Sequence, residues 1–351
     1  MPNDFNVEKL MNLKFEDFIR HITKITQKTQ PRSDDYRLVE NAEKHLAVLG
    51  SAYRQLSIHT RNKKKITSSG VEWFLDNFYV IQEAVEIIQE DLPEGYFKKL
   101  PSIEAHSGQP RTYIIARAFT ANTEVEVVMN DLHNFLNHYQ EEITLQMSEL
   151  WALPLMLRLV MIEYLVAYIR KVIEDDRQRG ISVDSSLPGI DPDEIIARAV
   201  RTLHALNRVD WKEFFEAHAK VDALLREDPS GYYAEMDFET RDQYRKEIEN
   251  LAQNCHYSEL EIAETAINLT INNDNEAKKS KHVGYFLIDK GKEKLKSQIG
   301  YRSNFSQKLR DFFFNQKTTF YLGGIGIITA FVLLTLLIIA AQFNLKGWEF
   351  F

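Results

Sequence analysis

The residues best suited to chemistry in this sequence are few: two aspartates two apart, a lone cysteine beside a histidine, two nearby histidines, a lysine run, and two opposite charges inside an apolar stretch. Asp191-Pro192-Asp193 matches the short Asp-x-Asp pattern with which glycosyltransferases hold a metal ion and a nucleotide sugar. Here it opens a helical pattern, where capping and the positive end of the helix dipole account for both acids. Cys255-His256 suggests a metal pair or a nucleophile. No second ligand cluster accompanies it, so a small residue on a helix face is the plainer reading. His133 and His138 are five apart, which puts them on different sides of a helix rather than on one metal-binding face. Lys63-Lys64-Lys65 offers cations to phosphate or anionic lipid, but no aromatics interleave with it and a solvated loop explains it. Arg158 and Glu163 read as a structural ion pair or a partner contact, since buried charges are usually paired. Asp76 and Asn77 are expected to bond neighbouring backbone. H-E-x-x-H, G-x-S-x-G and G-x-x-x-x-G-K-[ST] are all absent. From motifs, no catalytic, cofactor-binding or metal-ligating residue is assigned.

The elements that would position any site are helical. Helix-start chemistry recurs along the chain. Ser69 with Glu72, Thr123 with Glu126, Asp191 with Glu194, Asp210 with Glu213 and Ser258 with Glu261 all have capping-box spacing. Pro192 adds proline at a first helical position. Phe74, Phe78, Ile81, Val85 and Ile88 step by four and three, one face of a helix that Leu92-Pro93 stops. Val128, Leu132, Phe135, Leu136 and Tyr139 make a second face. Trp211, Phe214, Phe215, Val221, Leu224 and Leu225 make a third. Loops are expected at 61–69, 100–111, 180–189, 228–232 and 272–281. The 180–189 stretch combines glycine, serine and proline, and is the best internal boundary. The expected fold is all-α: an array of antiparallel helical pairs, with subdomains at 1–182 and 190–315, a transmembrane helix at 320–341 and a tail at 342–351.

The chain has 351 residues, a formal net charge of −8, 44% hydrophobic and 27% charged residues. That is a folded composition, and the acidic balance argues against nucleic acid as a partner. A single cysteine rules out an intrachain disulfide. The N-terminus lacks a basic start followed by an apolar run, so it does not read as a secretory signal.

Two stretches compete as membrane spans. Residues 320–341 (FYLGGIGIITAFVLLTLLIIAA) carry no charge over the length a bilayer core requires. Their Leu, Ile, Val and Phe favour insertion by about 4–8 kcal/mol as an upper figure. Phe320, Tyr321, Phe343 and Trp348 lie near the two interfaces. Residues 150–169 (LWALPLMLRLVMIEYLVAYI) contain Pro154, Arg158 and Glu163. Arg158 alone costs about 2.5–3.5 kcal/mol at a bilayer centre, so the sum is near zero and a buried helix of a water-soluble core is expected. Arg302, Lys308, Arg310 and Lys317 precede the first span and only Lys346 follows it, which places the long N-terminal part in the cytoplasm. Gly323, Gly324 and Gly326 form neither a G-x-x-x-G pair nor a phosphate loop.

Several blocks together resemble the cyclic β-1,2-glucan synthases, in the region before their glycosyltransferase domain. They are residues 71–101 (VEWFLDNFYVIQEAVEIIQEDLPEGYFKKLP), 110–119 (PRTYIIARAF), 149–163 (ELWALPLMLRLVMIE), 210–245 (DWKEFFEAHAKVDALLREDPSGYYAEMDFETRDQYR), 282–289 (HVGYFLID) and 321–326 (YLGGIG). The resemblance runs from about residue 40 to 345 in the family's order. It implies a bacterial inner-membrane setting, UDP-glucose as donor for the full-length enzymes, and catalytic residues in later domains. None of those catalytic residues transfers onto this chain. The expected role is a scaffold that anchors and positions the transferase, with the lipid bilayer and a transferase domain, in cis or in trans, as partners. The resemblance also implies that the sequence is a fragment, one part of a split gene, or a remnant with a separate role. A stand-alone membrane-tethered interaction module and an enzyme with an unrecognised pocket, around Arg158 and Glu163, remain the alternatives.

Overall fold

The computed structural model describes residues 7–30, 38–61, 68–92, 96–106, 108–175, 187, 189–272, 281–302 and 317–342. In chain order the helices are α1 (Val7–Met11), α2 (Phe15–Thr26), α3 (Leu38–Arg61), α4 (Ser69–Asp76), α5 (Phe78–Asp91), α6 (Arg111–Asn122), α7 (Met129–Glu142), α8 (Met147–Asp175) and α9 (Pro192–Leu206). They continue with α10 (Trp211–His218), α11 (Lys220–Leu225), α12 (Tyr232–Glu235), α13 (Phe238–Ala252), α14 (Glu259–Ile271), α15 (Gly284–Leu287), α16 (Lys292–Gln298) and α17 (Lys317–Gln342). Within the expected 100–111 loop, short strands β1 (Ser102–Ile103) and β2 (Gln109–Pro110) pair antiparallel. Ser102 also bridges to Gln30. The fold is all-α.

The most apolar helix is the axis of the array. Helix α8 is packed by α3, α5, α6, α9 and α10. Its Met147–Ile173 stretch is long and apolar enough to cross a membrane, but protein covers 94% of its most apolar window. The 150–169 segment is therefore a core helix, as its internal charges foretold. Helix α17 is its opposite. Every residue from Ile325 to Ile339 is exposed, with Ile327 at 73% and Phe331 at 69%. A helix apolar on all sides and covered by no protein is suited to lipid rather than to water.

The capping spacings meet mixed outcomes. Ser258 and Glu261 form a complete capping box, each satisfying a backbone N–H of the other's residue. Asp191 and Asp210 cap α9 and α10. At α4 the cap is Ser68, one residue earlier than read, and its hydroxyl accepts from the Val71 N–H. No helix starts at Thr123. Thr123 instead ends α6, and Glu124 and Val125 follow with φ of 51° and 70°. That left-handed turn buries Val125, and α7 starts later, at Met129, leaving Val128 exposed.

Two apolar faces read as single helices are broken. The first breaks at Asn77, whose side-chain amide donates to the Trp73 carbonyl (2.9 Å) and whose Oδ1 meets His204 Nε2 (3.0 Å). The second breaks at Ala219, which is extended (ψ 98°) and separates α10 from α11. The turn carries Asp222 into the interior, where Arg245 waits for it. In both cases tertiary partners outweigh helical periodicity.

Helix α9, after the 180–189 stretch, packs on α8 and on α4. At the α4–α9 contact a Cβ on Gly70 would lie 2.7 Å from the Asp193 Cα, so only glycine allows this approach. Ser68 donates its hydroxyl proton to Asp193 at the same point. Residues 62–67, which hold the lysine run, most of the 180–189 and 272–281 loops, Lys308, Arg310, Lys346, Phe343, Trp348 and the 342–351 tail apart from Gln342, lie outside the described residues.

Candidate functional site

Among the described residues, a cavity of about 610 Å³ lies between α5, α8, α10, α13 and the turn after α5. Helical spacing builds its walls. Met147, Trp151, Pro154, Leu155 and Arg158 come from one face of α8. Phe238, Asp242, Arg245, Lys246 and Glu249 come from one face of α13. Trp211 and Phe215, four apart on α10, close a third side, and Ile87, Asp91, Tyr96 and Lys99 the fourth.

Aromatic rings dominate the floor. Trp151 stacks on Phe215 with centroids 4.5 Å apart and planes 19° apart. Phe238 meets Trp151 edge-on at 5.9 Å. Arg158 lies over the Trp211 ring at 5.8 Å, and Arg245 lies over Phe238 at 4.6 Å and Phe215 at 5.2 Å. These are cation–π contacts that hold both guanidinium groups against the aromatic wall.

Arg158 does not pair with Glu163. Five residues apart on α8, the two side chains leave the helix on different sides. Arg158 donates to the carbonyl oxygens of Pro154 (3.2 Å) and Leu206 (3.1 Å) and to Asn207 Oδ1 (3.2 Å). Burial pulls its pKa down to about 10, against the pull of Asp91 and Glu83. Glu163 takes the Tyr113 hydroxyl at 2.7–2.8 Å, away from the cavity. Burial raises its pKa, and the bond from Tyr113 opposes the rise. So the cavity forms at Arg158 alone.

Arg245 anchors the far wall. It is 1% exposed and donates to Asp222 Oδ1 at 2.7 Å and to Glu216 Oε1 at 3.2 Å. Asp222, fully buried, also accepts from the Tyr233 hydroxyl (2.8 Å) and from Arg226 Nε (2.7 Å). Burial alone would raise the Asp222 pKa, but the bonds from Tyr233, Arg226 and Arg245 carry it below the ordinary carboxylate range.

The start of α8 is held by two carboxylates. Glu149 is fully buried, pairs with Arg111 (Nε to Oε1, 2.7 Å) and accepts the Gln146 N–H at 2.9 Å. Glu259 crosses from α14 to accept the Met147 N–H at 2.8 Å. Burial pushes the Glu259 pKa up to about 7; the Met147 bond opposes this, and Glu249 and Glu149 add to it. The native state thus keeps this proton to about neutral pH, while the unfolded chain releases it near the ordinary glutamate value. Stability is highest below that ordinary value and falls as pH rises to about 7, by about 2–4 kcal/mol. Glu259→Gln keeps an acceptor for Met147 and removes the titration. Its Tm is expected to fall much less than the wild type's between pH 5 and pH 8. Parallel losses in the two proteins would contradict this assignment.

The other sequence candidates lie elsewhere. His133 Nδ1 meets His218 Nε2 at 2.6 Å, and His138 bonds the Asn134 carbonyl at 2.8 Å. Burial and the neighbouring His133 draw the His218 pKa down to about 4. Asp191 caps α9 and Asp193 accepts the Ser68 hydroxyl at the α4–α9 contact, so both acids have local structural partners. The half-buried Cys255 leans on the core with its thiol 3.8 Å from the Tyr257 carbonyl. Among the described residues, no group of three or more His, Cys, Asp or Glu is arranged to hold a metal ion. In the sequence Trp211 and Phe215 read as part of a core face, and no motif singles out Trp151, Phe238 or Arg245. Trp151 and Phe238 each stand seven residues before an arginine, Arg158 and Arg245, which puts ring and guanidinium on one helix face, and core packing produces that spacing as well.

No family model matches the chain. It is 27% identical over 340 aligned residues to the cyclic β-(1,2)-glucan synthase NdvB of Rhizobium meliloti (strain 1021), a match that covers 73% of this chain. The chain is related to the cyclic β-1,2-glucan synthases. It spans 12% of the length of that relative. Three of the blocks that carry the resemblance to the glucan synthases, residues 71–101, 149–163 and 210–245, supply walls of the cavity.

Proposed function

We propose that this chain is a membrane-held helical scaffold for β-1,2-glucan synthesis. In this reading the 7–302 array stands on the cytoplasmic face of a bacterial inner membrane, α17 crosses the bilayer, and a UDP-glucose-dependent transferase domain works beside it in cis or in trans. The observation that carries the reading is the similarity to a glucan synthase over 73% of the chain. Two further features support it. Helix α17 is exposed and apolar along Ile325–Ile339, and Arg302, Lys308, Arg310 and Lys317 precede the apolar stretch while Lys346 alone follows it.

The test is synthesis in membranes. Membranes from cells lacking the chain are expected to lose incorporation of glucose from UDP-glucose into β-1,2-glucan. The full chain should restore it, and a version without residues 317–342 should not. Undiminished synthesis in the deletion strain would overturn the proposal.

A further inference from the structure

We infer that the aromatic cavity between α8, α10 and α13 is a binding site for a short, neutral hexopyranose chain. Three observations point to that class of ligand.

The first is shape and surface. About 610 Å³ is the size of a small-molecule site, and its floor is the aromatic group of Trp151, Trp211, Phe215 and Phe238. Trp151 and Trp211 are only half-buried, so part of each ring stays uncovered. A pyranose ring has an apolar face of C–H bonds, and a flat aromatic surface is its natural platform.

The second is charge. The ions at the cavity are already matched: Lys99 with Glu249 at 2.8 Å, Lys246 with Asp242 at 2.6 Å, Arg245 with Asp222 at 2.7 Å. Arg158 donates to carbonyl oxygens with Asp91 and Glu83 nearby. A phosphate or nucleotide site needs surplus cations or a cradle of backbone N–H groups. A wall of balanced donors and acceptors suits hydroxyl groups, which both donate and accept.

The third is unused capacity. Arg158 and Arg245 are 3% and 1% exposed, and each keeps a buried Nε–H without an acceptor. Buried donors are nearly always satisfied, so two such groups at one cavity mark a place where the partner is missing. The Nε atoms expose less than 1 Å², so sugar oxygens meet them once the guanidinium groups turn toward the cavity.

The ligand class stands on this cavity; a β-1,2 linkage rests in addition on the proposed function. The test uses the full chain in a detergent without a sugar head group. It is titrated with linear β-1,2-, β-1,3- and α-1,4-linked gluco-oligosaccharides and with UDP-glucose, and binding is followed by calorimetry and tryptophan fluorescence. The β-1,2 oligosaccharide is expected to bind saturably. Trp211→Ala should weaken it tenfold or more and Trp211→Phe should recover most of the loss, while Trp73→Ala, away from the cavity, leaves the affinity unchanged. Saturation-transfer NMR on the unmodified chain is an independent readout, and should pass magnetisation from aromatic protons to sugar ring protons. Equal binding of all three linkages supports the site but counts against its tie to the proposed function. Silence of every oligosaccharide up to about 10 mM overturns the inference. So does affinity indifferent to Trp211, or binding of UDP-glucose alone.

Discussion

Asp222→Ala is expected to destabilise the helical array by about 3–5 kcal/mol, the usual cost of breaking a buried ion pair from one side. Asp222 is fully buried and is the acceptor for three donors, on Arg245, Arg226 and Tyr233. Alanine leaves a guanidinium at 1% exposure without its closest counter-ion, and a fully buried phenol without its acceptor. Glu216 remains near Arg245 at 3.2 Å but already serves Arg241 and Arg226. The network also fixes the cavity, because Arg245 stands over Phe215 and Phe238. Removing both charges, as in Asp222→Leu with Arg245→Met, should be far milder than the single change, since an apolar pair of similar volume often replaces a buried ion pair at little cost. Urea denaturation of the wild type, Asp222→Leu, Arg245→Met and the double variant in one cycle, with Asp222→Ala beside them, measures the difference. A single-variant loss below about 1 kcal/mol, the size of an exposed pair, would mean that the network does not hold α11 to α13.

The second large effect belongs to α17. The full chain should sediment with membranes and resist carbonate extraction, and a version without residues 317–342 should appear in the soluble fraction. The aliphatic and aromatic side chains of residues 320–341 favour insertion by up to about 4–8 kcal/mol, so deletion shifts the partition by up to about 10³- to 10⁶-fold. Deleting a covered helix would act differently. Removing the Met147–Ile173 stretch of α8 would take away the element on which α3, α5, α6 and α9 pack, and the array would not fold. The two deletions therefore separate the proposed membrane anchor from a core helix, although both are apolar helices.

The core placement of α8 was legible in the sequence, because Arg158 and Glu163 make the 150–169 stretch a poor span. The box at Ser258 and Glu261 was legible for a similar reason: both of its bonds lie within one helical turn. Legibility fails where a bond spans the chain. Thr123 and Glu126 have the right spacing, but the α6 carbonyls and Thr202 claim the segment, the Thr202 hydroxyl donating to the Val125 carbonyl (2.9 Å). Ala219 breaks a periodic face so that Asp222 can meet an arginine 23 residues away. Asp228 holds His282 across 54 residues at 2.7 Å, and nothing local to either residue announces it. The cavity belongs with these cases. Each wall is an ordinary amphipathic face, and only the packing of α8, α10 and α13 turns three of them toward one space.

The single cysteine gives the most direct test of the account, which places the helical array on the cytoplasmic side of a membrane crossed by α17. Cys255 lies in the array, between α13 and α14, and is half-buried rather than enclosed. Intact spheroplasts carrying the full chain would be treated with a membrane-impermeant maleimide, before and after permeabilisation. The account predicts an unlabelled chain in intact spheroplasts and a labelled chain once the membrane is opened. Full labelling of the intact spheroplasts would contradict it.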